Sequence, residues 1–314
     1  MFRIMKFGPE SRRDELGNGN AAMTKLEAIQ ISDEIQRFQS GQPLMMRLAA
    51  FLNRVSPRGK GAIPRAIGRR FGGGWKTAIT TNSGCKLAVD PANLDLFVTI
   101  ENEGAWEPWI RRVCVLAMQD GGVMFDVGAN AGAISNETGL ACPDITIKAF
   151  EPQVELATLV AVSAELNGLP NIEVFPVAVG DHEGTVQLHK PAHALHASLM
   201  ASGHSGEAVF EVPLISLDWA VHSGQLPVPT FIKVDVEGGE LGVFNGARQI
   251  LSRHEPVVIF EANESSHRFG YGREDLFELF RQCSDYEFFQ LAPGDVLASP
   301  KKRATEFESH YQRV

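Results

Sequence analysis

The stretch Phe125-Asp126-Val127-Gly128-Ala129-Asn130-Ala131-Gly132-Ala133-Ile134-Ser135 decides the fold. The run Val123 to Val127 reads as a buried strand, the glycines mark a tight turn, and a helix is expected to follow. Glycines there let the backbone turn sharply and let a ligand approach it closely. The next strand ends Phe150-Glu151-Pro152, about twenty residues beyond the turn, where an acidic side chain can accept hydrogen bonds from both ribose hydroxyls. The pair implies an adenosine-containing ligand. The spacing is Gly-x-x-x-Gly rather than the G-x-G-x-x-G of dinucleotide sites, and Asp126 would sit badly beside a pyrophosphate. A carboxylate suits an ammonium group instead. S-adenosylmethionine, which carries an ammonium and a sulfonium, is therefore the expected cofactor. No G-x-x-x-x-G-K-[ST] occurs, which argues against an ATPase.

Outward from the turn, short strands alternate with helical stretches. Gly84–Val89, Leu96–Ile100, Ile145–Phe150, Ile172–Val179, Thr230–Val236 and Pro256–Phe260 read as strands. Gln153–Asn167 and Glu240–Leu251 read as helices, the first stopped by Gly168-Leu169-Pro170. This alternation predicts a mostly parallel sheet covered on both faces. TVQLHK and AVFEVPLISL, between Gly184 and Leu217, predict an antiparallel insertion, and Tyr286–Gln290 and Asp295–Ala298 predict edge strands. On the other side, residues 1–22 are polar and aperiodic and are expected to be a disordered tail. Residues 23–76 read as a helical appendage, Thr24–Phe38 and Pro43–Val55, followed by a basic linker from Arg54 to Lys76 that has no acidic residue. Residues 77–314 are expected to form the α/β domain that carries the cofactor site.

Composition narrows the function. A formal net charge of -9 argues against non-specific nucleic-acid binding, which relies on phosphate neutralisation. The four cysteines are scattered and form no Cys-x-x-Cys pair, unlike a disulfide framework or a structural zinc site. No apolar stretch is long enough to span a bilayer, and the first residues lack the pattern of a secretory signal, so a cytoplasmic location is expected.

Alternation along Phe231–Val236 puts Lys233, Asp235 and Glu237 on one face, the carboxylates at the strand's carboxyl end, where open α/β sheets bind ligands. Lys233 is expected to pair with Asp235 or a neighbouring carboxylate, since a lone buried charge is costly. Glu240 and Glu261 gather at the same edge. If the methyl group of such a cofactor passes to a hydroxyl, a proton acceptor must lie within hydrogen-bond reach. Asp235 is the first candidate, with Glu237 and Glu261 positioning the acceptor molecule. Mg2+ held by two or more of these carboxylates is the alternative. Glu240 is expected to cap or pair along its helix. HKPAHALHASLMASGHSG, residues 189–206, reads as a loop over the crevice, with His196 facing substrate. In Gly104-Ala105-Trp106-Glu107-Pro108-Trp109-Ile110, Glu107 is expected near the cofactor. The tryptophans are expected to pack, a stacking surface for a sugar being the other reading. The cofactor candidates are Glu107, Asp126, Gly128, Asn130, Gly132, Glu151, Pro152, Ala178 and Asp235.

The chain resembles the FkbM-type methyltransferase family from about Asn82 to Arg281. The motifs run in order: GCKLAVDP, GAWEPWI, FDVGANAGAIS, FEP, NGLPNIEVFPVAVGDHEG, Ala197-Ser198-Leu199, Ser216-Leu217-Asp218 and IKVDVEGGELGVFNGA. The last is the most specific. Ala131 stands where an Ile is common and Gly239 where an Ala is usual. The resemblance implies a seven-stranded Rossmann-like sheet with an antiparallel end and S-adenosylmethionine as cofactor. It also implies O-methylation of a saccharide, glycolipid or polyketide-type hydroxyl. Two rivals lack support in the residues. An NAD-dependent sugar oxidoreductase would show G-x-G-x-x-G and Tyr-x-x-x-Lys; a fold retained only for binding would have lost Glu151 or Asp235.

Overall fold

The computed structural model describes residues 25–29, 31, 77–89, 94–190 and 208–314. Thr77–Thr80 (β1) and Lys86–Val89 (β2) form an antiparallel hairpin. Helices Leu94–Glu103 (α1) and Pro108–Met118 (α2) lead into Gly122–Val127 (β3), Ala133–Ala141 (α3), Ile145–Phe150 (β4), Val154–Asn167 (α4) and Ile172–Phe175 (β5). Ala178–Val179 (β6), Gly184–Lys190 (β7) and Ala208–Ile215 (β8) follow, then Leu217–His222 (α5) and Phe231–Val234 (β9). Glu240–Asn245 (α6), Arg248–Arg253 (α7), Val257–Glu261 (β10), Arg273–Cys283 (α8), Tyr286–Ala292 (β11), Asp295–Pro300 (β12), Thr305–Glu308 (α9) and Gln312–Arg313 (β13) complete the chain.

The main sheet has the order β13-β11-β12-β10-β9-β3-β4-β5. It is parallel from β10 to β5, and β12, β11 and β13 are antiparallel additions. The expected sheet thus gains an eighth strand, the two-residue β13. From β3 the chain steps outward to β4 and β5, then returns to place β9 on the other side of β3. The strand order reverses there, and ligands of such sheets bind outside the carboxyl ends at that reversal. Both faces are apolar. Phe125, Phe150, Ile232, Val234 and Phe260 meet Phe244 and Phe280 on one side. Met124, Ile147, Phe231 and Ile259 meet Ile110, Val113 and Val160 on the other.

Three expected elements differ. Leu96–Ile100 lies in helix α1, not a strand: its β-branched run masks an i, i+4 pair, Leu96 and Ile100, which are both buried. The strand expected over Ile172–Val179 breaks at Pro176, which has no N–H for a ladder. Val177 N–H bonds Phe175 O at 2.9 Å, and β6 joins β8 and β7 in a separate three-stranded sheet. The helix expected over Glu240–Leu251 is two short helices broken at Gly246. Within the helix expected from Thr24 to Phe38, residues 25–29 and 31 have no regular secondary structure; Ile29 N–H bonds Val174 O on edge strand β5. The rest of the helical appendage, the basic linker and the tail lie outside the described residues. The antiparallel insertion is present as β7 and β8, paired from Gly184↔Leu214 to Lys190↔Ala208.

Gly246 and Gly242 give a paired test of this packing. A Cβ at Gly246 would collide with Gly180 O, whereas one at Gly242 inside α6 meets nothing within 4 Å. Gly246→Ala should therefore destabilise the protein by about 1–3 kcal/mol. Gly242→Ala should stabilise it by about 0.5–1 kcal/mol. Denaturant unfolding of the two variants checks both signs; equal effects would contradict the placement.

Candidate active site

β3 and β9 end side by side, Val127 opposite Val234. Gly128 has φ +76° and Asn130 φ +52°. A Cβ on Gly128 would strike the carbonyl oxygen of Asp235, so the turn and the exit from β9 are in backbone contact. The N–H groups of Gly128 and Ala129 both reach Phe150 O, at 2.9 and 3.0 Å. Glu151 holds the turn from the β4 end: one carboxylate oxygen accepts from Asn130 N–H at 2.9 Å, the other from Gln153 N–H at 3.0 Å. A carboxylate offers about four lone-pair sites, so acceptor capacity remains for a ligand. Burial pushes the Glu151 carboxyl up to about 7, against the pull of those two N–H donors.

Beneath the turn lies a buried cation. Asp126 and Lys233 are directly opposed across β3 and β9. Lys233 Nζ is 2.8 Å from Gly128 O and 3.4 Å from both Asp126 Oδ1 and Asp235 Oδ2. Its three N–H donors thus face three acceptors. Burial opposes the charge, but Asp235, Asp126 and Glu107 outweigh it and raise the ammonium's pKa. The pairing of Lys233 with Asp235 expected from alternation is present, with Asp126 as a second partner.

Two cavities open on either side of the turn. The first has apolar walls from Phe150, Leu156, Val177, Val179 and Leu188, and a polar edge from Glu151 and Gln153, with Gly128, Pro152 and Ala178 also in its lining. The second is lined by Trp106, Glu107, Lys233 and Glu261 together with small residues of the turn and α3. Asn130, Asp235 and Glu237 line both, so the cavities meet at the end of β9. The second cavity is strongly acidic. Burial pushes the Glu261 carboxyl up to about 8, helped by Asp235 and Glu237. Burial likewise takes Glu107 to about 7, opposed by Lys233. Asp295, opposite Glu261 in the β10–β12 register, is also raised, again mainly by burial. Burial thus disfavours the ionised forms of these carboxyl groups, and a cation placed among them would favour ionisation.

Glu240 is a strut. Its Oε1 accepts from the N–H groups of Val236 and Gly238, both at 3.2 Å, and Tyr271 Oη lies 2.7 Å from its Oε2. This fixes the loop that carries Glu237, at φ +56°. The expected cap or pairing along the helix is not what the structure shows: the helix has no side-chain cap, and Glu240 instead braces the loop between β9 and α6.

Two sequence expectations need correction. Asp126 lines neither cavity: it has no exposed surface, accepts from Ser135 Oγ at 2.6 Å and faces Lys233. Gly132 also lines neither; a Cβ there would press on Val160 of α4, so helix packing requires this glycine. Glu107, Gly128, Asn130, Glu151, Pro152, Ala178, Asp235, Glu237 and Glu261 all line one cavity or both. His196 lies outside the described residues. Sequence reasoning missed Val177, Val179 and Leu188, whose alternation was visible but whose sheet was not, and Asp295. Among the described residues no group of three or more His, Cys, Asp or Glu side chains is arranged to hold a metal ion, and no helix is long and apolar enough to cross a membrane.

The chain was compared with known proteins. No curated protein matches it. Among solved structures it is similar to a methyltransferase FkbM from Methylobacillus flagellatus KT, with 19% identity and a TM-score of 0.40, over 66% of this chain and 53% of that one. This chain therefore spans about half the length of that relative. It is also similar to the O-methyltransferase TomG from Streptomyces achromogenes in complex with SAM, with 13% identity and a TM-score of 0.40, over 62% of this chain and 81% of that one. A third similar structure is M. jannaschii TYW2 in complex with AdoMet, with 13% identity and a TM-score of 0.38, over 76% and 87%. The family model of the methyltransferase FkbM domain matches residues 126–288, more than half of the 314 residues, from the buried aspartate of β3 to the antiparallel end of the sheet. This chain belongs to the FkbM methyltransferase family.

Proposed function

We propose that this enzyme transfers a methyl group from S-adenosylmethionine to a hydroxyl of a saccharide, glycolipid or polyketide-type small molecule. One observation carries the reading: an apolar cavity with Glu151 at its edge joins an acidic cavity at Asp235 and Glu237. The apolar walls suit an adenine, Glu151 suits a ribose diol, and the acidic second cavity suits an ammonium and a sulfonium. When bound, S-adenosylmethionine supplies an electrophilic methyl group. Asp235, whose side chain is 37% exposed at the junction, accepts the proton from the acceptor hydroxyl. Glu237 and Glu261 orient that hydroxyl, and His196 is the reserve proton acceptor. Mg2+ held between the carboxylates is a second version of the same chemistry. The acceptor is a small molecule or glycan rather than a nucleic acid, and the enzyme works in the cytoplasm, where its thiols stay reduced.

Three outcomes follow. Glu151→Ala removes a charge-assisted acceptor and should weaken S-adenosylhomocysteine binding by about 1.5–3 kcal/mol in calorimetry; unchanged affinity would remove the ribose from this edge. Asp235→Asn, which keeps the shape and a hydrogen-bonding group beside Lys233, should still bind S-adenosylhomocysteine, though more weakly, while turnover falls roughly a hundredfold or more. A fully active Asp235→Asn enzyme, insensitive to EDTA, contradicts both the base and the Mg2+ versions. Finally, a cation favours the ionised forms of Glu107 and Glu261, which titrate at about 7 and about 8. S-adenosylmethionine affinity should therefore rise between about pH 6 and pH 8.5, with protons released on binding. Calorimetry in buffers of different ionisation enthalpy reads that release, and a pH-independent affinity would count against the acidic cavity as the cation's place.

A further inference from the structure

Trp109 lies on the first turn of α2 and is 40% exposed, in contrast to the buried residues Ile110, Val113 and Cys114 of the same helix. It is the one aromatic side chain among the large exposed apolar residues of the described chain. Its ring is not free to swing: indole Nε1–H donates to Asp295 Oδ2 at 2.8 Å. Asp295 is the antiparallel register partner of Glu261. Directly opposed residues of such a pair project from the same face of the sheet, with Cβ atoms about 5 Å apart. Glu261 in turn lines the acidic cavity beside Trp106 and Glu107, three and two residues before Trp109. From the reaction centre outward, the residues therefore run from Asp235 and Glu261 to Asp295 to an indole face held in place by that carboxylate.

We propose that Trp109 and Asp295 form an outer subsite for a saccharide acceptor, the indole covering the sugar's C–H face while Glu261 and Asp295 accept bonds from its hydroxyls. A pyranose presents just this pair of surfaces, an apolar C–H face and an equatorial rim of hydroxyl donors. The carboxyl groups match the rim, accepting from its hydroxyls when ionised, and a flat aromatic ring with a fixed tilt matches the face. Trp109 positions the acceptor and takes no part in proton transfer. The inference rests on the methyl-transfer reading above and selects the saccharide from its acceptor classes.

The test starts with the wild-type enzyme, radiolabelled S-adenosylmethionine and a panel of methyl glycosides of hexoses and deoxyhexoses. The best-methylated glycoside then serves as the probe. Trp109→Ala should raise the KM for that glycoside about tenfold, the scale of one lost stacking contact. The dissociation constant for S-adenosylhomocysteine should stay within about twofold of wild type, which also shows that the variant is folded. Trp109→Phe, which keeps a ring without the N–H, should recover a large part of the loss. Saturation-transfer NMR on the S-adenosylhomocysteine-bound protein should show the probe's ring protons saturated in wild type and not in Trp109→Ala. An unchanged KM in Trp109→Ala overturns the subsite alone. A wild-type enzyme that binds S-adenosylhomocysteine yet methylates no glycoside overturns the subsite and the saccharide class, leaving the cofactor reading in place. Failure to bind S-adenosylhomocysteine would instead sink the methyl-transfer reading on which the subsite rests.

Discussion

The site depends on one buried ammonium. Lys233 projects from a strand in the middle of an eight-stranded sheet, with Asp126 opposite it in register. A charge placed there without partners would cost several kcal/mol. Three acceptors surround it, Gly128 O, Asp126 and Asp235, and each belongs to a different part of the ligand edge. Gly128 begins the turn, Asp126 ties down helix α3 through Ser135, and Asp235 lines both cavities where they meet. The need to keep that ammonium solvated by protein therefore fixes the turn, the helix start and the carboxylate in one arrangement. Removing one member of such a set leaves an uncompensated charge, typically worth about 3–5 kcal/mol.

The surrounding structure follows from this anchor. Glu151 can bridge two backbone N–H groups because Lys233 holds the Gly128 carbonyl, and with it the turn that carries Asn130, near the end of β4. The backbone contact between Gly128 and Asp235 leaves no room for a side chain at the turn. On the other flank, Glu240 and Tyr271 hold the loop after β9 so that Glu237 stays at the junction. The acidity of the second cavity has the same origin: the strand ends bring Glu261 and Asp295 into register beside Asp235, and burial raises the pKa of both.

Much of this was legible in the residues. The buried strand, the glycine turn and Glu151 are close in sequence, and their spacing alone implies where a ribose would sit. Lys233 and Asp235 are two apart on a strand, so alternation places them on one face. Asp126 was misread because register is not written in a single strand. A carboxylate just before a glycine turn looks ligand-facing until β9 is laid beside β3 with Lys233 opposite. Gly132 was misread for a related reason: a glycine can be required by a neighbouring helix, here Val160, as readily as by a ligand. Leu96–Ile100 shows the limit of propensity, since a β-branched run folded as a helix once Leu96 and Ile100 found a core. Asp295 was invisible because it follows a hairpin whose partner strand ends about thirty residues earlier, and only the fold brings it next to Glu261.

The central claim is that one molecule of cofactor bridges the two cavities above Lys233, adenosine in the apolar one and amino-acid end in the acidic one. A crystal structure of the complex with S-adenosylhomocysteine tests it most directly. The account predicts the ribose hydroxyls on Glu151, the adenine between Phe150 and the Val177–Val179 segment, and the ammonium among Glu107, Asp235 and Glu261. Electron density for the nucleoside outside the first cavity, or for the amino-acid end away from the second, would contradict it.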